Sequence, residues 1–250
     1  MNLDSCLEAI HDDSARIAAC AERGELTAPI AACPGWDLRK LVVHTGSVQR
    51  WATHALQDGV DPTGIAIPRP AVDASGEELG AWMRLGAGIL VDVLAATSPD
   101  AETWHPFPAE QKAWVWSRRQ AMEAMVHRWD AEVAVDGSSD IDPLHALTGL
   151  AEFFEMLLPR ALLRESTPAP DVSLHVHCTD DDLPDGTGEW IVWGDGGQYR
   201  MEAVHRKGDV ALRGPAQALL LAMMGRTDAH DLDVKGDASA APAWLSLPGL

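Results

Sequence analysis

The fold of the first half of the chain is decided by the segment CPGWDLRKLVVHTGSVQRWA, residues 33–52. Its Pro34 and Gly35 interrupt any preceding helix, and the side chain of Asp37 suits a helix N-cap. Apolar residues then recur at helical spacing, at Leu38, Leu41, Val42, Val48 and Ala52. The pattern predicts a helix that begins after Asp37 and ends near Leu56, with His44 on its inward stripe.

Three further helices accompany this segment. Residues 3–22 have a helical apolar rhythm, and Ser75 with Glu78 three residues later forms a capping box for a helix that ends near Ala96. A fourth periodic segment runs from Ser117 to Val135, before an Asp-Gly pair. Four helices within the first 140 residues predict a helical bundle.

The second half of the chain has a different sequence pattern. Asp142 and Pro143 favour the start of a fifth helix that continues to about Arg164. Short alternating segments then predict an antiparallel sheet, with one amphipathic helix from Pro215 to Met224 among them. These segments are VSLHVHC, EWIVWGD, QYRMEAVH and DVALRG. We therefore predict a fold of the α plus α+β class, with a four-helix bundle over 1–140 and a smaller α+β domain over 150–250.

Composition excludes several classes of function. The net charge of -19 opposes binding to a phosphate backbone, so we expect no nucleic-acid partner. No run approaches the roughly 20 apolar residues of a membrane span, and the polar, acidic N-terminus does not resemble a signal peptide, which predicts a cytoplasmic protein without a membrane partner. The four cysteines form no CxxC pair and are expected to be buried, reduced thiols: Cys6, Cys20, Cys33 and Cys178.

A candidate metal site follows from helical spacing. Glu123 and His127 lie four residues apart, so their side chains emerge on one face of the fourth helix. The inward position of His44 on the second helix allows it to reach the same point. Two imidazoles and one carboxylate form a known catalytic zinc set with an open coordination position. The alternative is an ordinary Glu-His pair beside a hydrogen-bonded core histidine.

Two neighbours on the fourth helix bear on this site. Arg119 stands four residues before Glu123 and either binds a substrate carboxylate or neutralises Glu123. Asp130 stands three residues after His127 and either orients that imidazole or remains solvated.

The segments at 33–52 and 118–132, the latter RRQAMEAMVHRWDAE, together resemble the mycothiol-dependent maleylpyruvate isomerase family. The segment GPAQALLLAMMGRTDAHDLDVKGD, residues 214–237, resembles the end of that family's second domain. The resemblance implies a DinB-like metal-binding bundle and a zinc ion held by His44, Glu123 and His127. It also implies Arg226 as a second arginine near the site, so that Arg119 and Arg226 are the candidate catalytic residues.

The resemblance implies mycothiol as the thiol cosubstrate, activated for addition to an electrophilic double bond in a cis-trans isomerisation. A mycothiol S-transferase acting in detoxification or secondary metabolism shares the first step and stays open, as does a non-catalytic zinc- or ligand-binding module. The expected partner is an anionic or electrophilic small molecule, and the expected assembly is a monomer or a homodimer. A second, weaker metal hypothesis concerns the run His175, His177 and Cys178, although Cys178 should point to the opposite face of its strand.

Overall fold

The computed structural model describes residues 1–247 of the protein. The chain divides into two compact units, Met1–Asp140 and Ile141–Leu250.

The first unit contains four long helices whose ends are set by local capping. They are α1 (Leu3–Glu22), α2 (Leu38–Asp58), α3 (Gly76–Ala96) and α4 (Trp114–Asp136). The side chain of Asp37 accepts from the backbone N–H of Lys40 at 2.8 Å, and Ser75 and Glu78 form the predicted capping box. The predicted helices are therefore confirmed, and α2 runs two residues past the expected end, to a left-handed Gly59.

Helix α4 begins three residues earlier than predicted. Its first turn has no side-chain cap, and the burial of Val115 and Trp116 stabilises it instead. Polar residues are also buried along α4, among them Gln120 and Arg128, so its inward and outward faces differ little in polarity. The sequence pattern therefore marked its start less well than those of the other helices.

Helix α3 is long and apolar enough to cross a membrane by length and composition alone, with a mean hydropathy of 1.5. This corrects the expectation that no segment of the sequence is long and apolar enough to approach a membrane span. In the structure α3 packs against α1 and α2, and its inward residues Leu79, Met83 and Leu90 belong to the buried interior of the first unit. The helix therefore serves as a core element of the bundle.

The second unit begins with a helix that is irregular in its middle. Helices α5 (Pro143–Glu152) and α6 (Leu158–Arg164) are joined by a π-helical turn, Phe153–Leu157. The prediction of one continuous helix is thus correct in extent but not in geometry. Pro159 provides a reason, because a proline inside a helix has no N–H to donate and its ring crowds the carbonyl four residues back.

A five-stranded mixed sheet follows. Its strands are β1 (Leu174–Cys178), β2 (Glu189–Asp195), β3 (Gln198–Glu202), β4 (Val210–Gly214) and β5 (Asp233–Gly236), in the order β3-β2-β1-β4-β5. Helix α7 (Ala216–Met223) lies between β4 and β5 in sequence, and a short α8 (Ala241–Leu245) comes last. The α+β prediction is confirmed, but β1 and β4 pair in parallel, so the sheet is not purely antiparallel.

The cysteines are free thiols, as predicted. Cys6, Cys20 and Cys178 are buried, whereas Cys33 is half-buried, which corrects the expectation for that residue. Burial raises the pKa of Cys20 to about 11 and that of Cys178 to about 12, so both remain protonated and unreactive at neutral pH.

Candidate metal centre

The structure brings His44, Glu123 and His127 together between α2 and α4. Nε2 of His44 lies 3.2 Å from Oε1 of Glu123, and Nε2 of His127 lies 3.3 Å from the same oxygen. Each of the three residues offers one ligand atom, and these atoms lie within 4.8 Å of one another. In the described part of the chain, this cluster consists of three residues, which leaves a coordination position for a further ligand.

Asp130 fixes the orientation of His127. Its carboxylate is fully buried, with an exposed fraction of 0%, and lies 3.0 Å from Nδ1 of His127. An Nδ1–H that donates to this carboxylate leaves the lone pair of Nε2 directed at the cluster, as in the outer shell of many metal sites. Burial alone would lower the pKa of His127, but Glu123 and Asp130 raise it to about 9. A metal ion that binds Nε2 at neutral pH therefore displaces a proton.

Arg119 contacts the other side of the Glu123 carboxylate. Its Nη2 donates to Oε2 of Glu123 in a close ion pair, while Oε1 faces the two imidazoles. Burial would raise the pKa of Glu123, but Arg119 and His127 outweigh it and hold the pKa well below the usual range. Of the two roles considered for Arg119, neutralising and orienting Glu123 is the one that this geometry supports; substrate binding stays a prediction.

Trp36 covers the two histidines on one side. The centroid of its indole lies 4.8 Å from the His44 ring and 6.2 Å from the His127 ring, with the latter pair stacked at 24°. Trp36 lies within the 33–52 segment, but no pattern in the sequence predicted its contact with the cluster. The indole therefore forms one side of the surroundings of both imidazoles.

A cavity of about 750 Å³ opens beside this cluster, and His44 forms part of its wall. Its remaining wall is largely apolar and includes Trp51, which packs edge to face against Trp104 and Trp116 at 5.4 Å each. Such packing makes this part of the wall rigid. Apolar walls with few polar groups are typical of small-molecule sites.

Three cationic side chains also line this cavity: Arg39, Lys40 and Arg69. Nζ of Lys40 donates to the carbonyl of Gly35 at 2.6 Å. Nη1 of Arg39 is buried and has no hydrogen-bond partner among the described residues. Because a buried donor without a partner costs about 1–3 kcal/mol, a movement of this side chain that brings Nη1 to an acceptor would be favourable. Sequence analysis did not single out Arg39, although the residue stands within the 33–52 segment.

Arg226 belongs to the second unit and lies in the turn after α7. Its backbone N–H donates to the carbonyl of Leu221 at 2.8 Å, and its Nη1 donates to the carbonyl of Met224 at 2.9 Å. These bonds hold the turn. A role for Arg226 beside the metal cluster stays a prediction.

The helical unit with its His-Glu-His cluster and the α+β unit with its mixed sheet define a two-part protein whose candidate metal site lies in a helical bundle. Residues 7–132 match the family model described as the mycothiol maleylpyruvate isomerase N-terminal domain, and residues 145–243 match the one described as the MDMPI C-terminal domain. The chain belongs to the mycothiol maleylpyruvate isomerase family.

Solved structures agree with this fold. Two crystal structures of the mycothiol-dependent maleylpyruvate isomerase, one of them a histidine-to-alanine mutant, align with TM-scores of 0.59 and 0.60. The alignments cover 94% of this chain and 93% of each of those chains, at 12% and 11% sequence identity. A search among curated proteins returned no significant match.

Proposed function

We propose that the protein is a zinc-dependent, mycothiol-using enzyme that catalyses a cis-trans isomerisation of the maleylpyruvate isomerase type. The observation that carries the proposal is the cluster of His44, Glu123 and His127, of which His44 lines a cavity that also has cationic side chains in its wall. Membership of the family and the fold of its solved members support the same reaction class.

The donor set fits zinc. Two imidazole nitrogens and one carboxylate oxygen are the ligands of known catalytic zinc sites, and the Asp130 contact presents Nε2 of His127 in the form that binds a metal. When bound there, a zinc ion with an open position would favour the thiolate form of a thiol at neutral pH.

The residues of the chain itself then bind and orient the reactants. Asp130 retains the Nδ1 proton of His127, and Arg119 holds Glu123 with one oxygen toward the imidazoles. The guanidinium group of Arg39 lines the cavity, where it would pair with a substrate carboxylate. The apolar wall around Trp51 excludes water from the reacting double bond.

The reaction needs no redox partner. The thiolate sulfur adds to one carbon of an activated cis double bond, and the adjacent carbon atoms rotate about the resulting single bond. The electron pair displaced from the double bond is held by the activating group until elimination of the thiolate restores the double bond in the trans form and regenerates the thiolate. Net atoms are unchanged, so substrate and product have equal mass.

We further propose that the partner of this site is a small anionic electrophile rather than a nucleic acid or a membrane. The proposed location is the cytoplasm, and the proposed assembly is a monomer or a homodimer. The net charge of -19 supports the exclusion of nucleic acid.

The decisive experiment incubates zinc-loaded protein with mycothiol and maleylpyruvate, and in parallel with a panel of other electrophiles. Mass spectrometry and chromatography of the products distinguish the outcomes. A new isomer of unchanged mass, dependent on mycothiol, supports the proposal, whereas a stable thiol adduct identifies a transferase instead. Turnover of no substrate by fully loaded protein would leave a binding module.

A variant pair tests whether the cluster supplies the activity. His44→Ala should lose the zinc of this cluster and the activity together, because it removes one of three ligands. The matched control is His54→Ala, which removes a histidine from the same helix but outside the cluster and should retain both. Full zinc content in His44→Ala would refute the ligand assignment.

A second pair tests the cavity. Arg39→Met should raise the KM for an anionic substrate about 10- to 100-fold with zinc content unchanged, because a charge-assisted hydrogen bond contributes about 1.5–3 kcal/mol. Arg84→Met, on α3 and paired with Glu22, is the matched control. Equal KM values in both variants would remove Arg39 from the substrate site.

A further inference from the structure

A second cluster of metal-binding side chains lies on the polar face of the sheet in the second unit. It consists of His175 and His177 on β1, Glu189 on β2, and His205 in the connection between β3 and β4. His175 and His177 share one face at the strand period of two, and the register places His177 directly opposite Glu189. Residues from three separate parts of the sheet thus converge on one point.

The contacts centre on a single carboxylate oxygen. Oε2 of Glu189 lies 2.9 Å from Nε2 of His175 and 3.3 Å from Nδ1 of His177, and it makes a still closer contact with Nδ1 of His205. The four ligand atoms lie within 4.8 Å of one another. For comparison, ligand atoms around a tetrahedral zinc ion are separated by about 3.3 Å at ordinary bond lengths.

The arrangement of the three imidazole rings also supports a common binding site. The three imidazole pairs meet at interplanar angles of 83°, 87° and 80°, with centroids 5.2–6.1 Å apart. The rings therefore do not stack, and one nitrogen of each ring lies next to the same oxygen of Glu189. A carboxylate oxygen has two lone pairs, so three imidazole donors exceed what one such atom can satisfy. A cation at the centre would accept electron pairs from all four side chains at once.

We propose that His175, His177, Glu189 and His205 bind a divalent transition-metal ion of the zinc class in a closed site with three nitrogen ligands and one oxygen ligand. Imidazole with a carboxylate suits zinc, copper and nickel better than calcium or magnesium. Four protein ligands fill a tetrahedral shell, which is the pattern of a structural site. The site differs from the three-ligand cluster in the first unit, and it does not depend on the proposed enzyme activity.

The effect of this second ion is to hold the β3–β4 connection onto the sheet. The side chain of His205 is 74% exposed, whereas that of His175 is 7% exposed, so the ion would anchor a surface segment to a buried strand. Cys178 does not take part, because it alternates to the opposite face of β1 and is buried there. Of the sequence run at 175–178, the structure brings the two histidines together and places Cys178 on the other face, and it adds Glu189 and His205, which the sequence pattern did not indicate.

The test counts zinc in full-length protein in which the first site has been disabled. His44→Ala protein is stripped with a chelator, reloaded with zinc alone, desalted and measured by elemental analysis. We expect one zinc per chain in this background. Adding His205→Ala should weaken zinc binding by at least about 100-fold, because loss of an outer-shell partner alone costs 10- to 100-fold.

The matched control is His230→Ala, which removes an exposed histidine of the second unit that contacts Asp228 and Asp231 outside the cluster. It should retain the zinc of the His44→Ala background. His205 is so exposed that its replacement should not unfold the sheet, and His177→Ala provides a second variant from within β1. Equal zinc affinity with and without His205→Ala and His177→Ala would overturn the proposal, as would the absence of zinc from the His44→Ala background.

Thermal or denaturant unfolding supplies an independent measurement. In the His44→Ala background, zinc at 100 times its dissociation constant should lower the unfolding equilibrium constant of the second unit about 100-fold. The same zinc should leave the His44→Ala, His205→Ala protein unchanged. Equal shifts in the two proteins would show that zinc acts elsewhere. If His44→Ala retains all wild-type zinc, the first site fails, whereas loss of the His205-dependent zinc bears on the second site only.

Discussion

Replacing Asp130 with asparagine tests how the first metal cluster is oriented. The carboxylate is fully buried and lies 3.0 Å from Nδ1 of His127. Asp130→Asn keeps the shape of the side chain but removes its charge, so the zinc-binding nitrogen becomes less basic and one ring tautomer loses its preference. The fold should persist because the substitution is isosteric.

The magnitude follows from the type of hydrogen bond. A bond to a charged acceptor contributes about 1.5–3 kcal/mol, and a neutral bond about 0.5–1.5 kcal/mol. The midpoints of these ranges differ by about 1.2 kcal/mol, which corresponds to a roughly tenfold larger dissociation constant for zinc. This is the lower end of the 10- to 100-fold range observed for outer-shell partners of metal ligands.

The assay is a zinc titration in competition with a chromogenic chelator, carried out on wild type, Asp130→Asn and a control. Asp136→Asn is a suitable control, because Asp136 lies on the same helix and pairs with Arg23 at the surface. We expect about tenfold weaker binding in the first variant and no change in the control. Zinc affinity within twofold of wild type for Asp130→Asn would refute the orienting role of Asp130.

Three further predictions concern stability. Burial would raise the pKa of Glu132, but the hydroxyl of Ser139 and the guanidinium groups of Arg128 and Arg16 lower it below the ordinary 4.5. The ionised carboxylate therefore contributes its full stability above pH 4.5, and this contribution is lost as the pH falls through the lowered pKa of the folded state. Glu132→Gln should therefore make the free energy of unfolding less dependent on pH below 4.5, as measured by urea titration, and an unchanged slope would contradict this. Gly46→Ala should destabilise the first unit by about 1–3 kcal/mol, because the added Cβ collides with the ring of Trp82. Gly88→Ala lies on α3, where no atom is within 4 Å of the added Cβ, and it should stabilise the unit by about 0.5–1 kcal/mol. Equal midpoints for the two alanine variants in chemical denaturation would contradict both expectations.

The sequence predicted those elements whose boundaries depend on adjacent residues. The capping box at Ser75 and the N-cap at Asp37 are complete within four residues, so α2 and α3 begin where expected. Strands β1 to β4 were also recognised from their alternation, whereas β5 was not predicted. Their pairing was not recognised, because the parallel contact between β1 and β4 joins segments separated by two other strands.

The same distinction between local sequence patterns and contacts of distant segments applies to the two candidate metal clusters. Glu123 and His127 share a helix, so their spacing alone placed them on one face, and the inward stripe of α2 located His44. Glu189 meets His177 only through the register of β1 and β2, which alternation does not specify. His205 comes from a connection without any repeating pattern. Arg39 was missed because an arginine in the first turn of a helix is ordinarily solvated.

The residues of the first candidate metal cluster lie far apart along the chain, which has a consequence for synthesis on the ribosome. Glu123 follows His44 by 79 residues, and the buried ion pair between Arg128 and Asp13 joins residues 115 apart. At about 5–20 residues per second, roughly 4–16 s pass between the translation of His44 and that of Glu123. During this interval α1, α2 and α3 lack the partner that packs against α1 and α2. The nascent bundle therefore completes its candidate metal cluster and gains its last packing surface in the same step, when α4 leaves the exit tunnel.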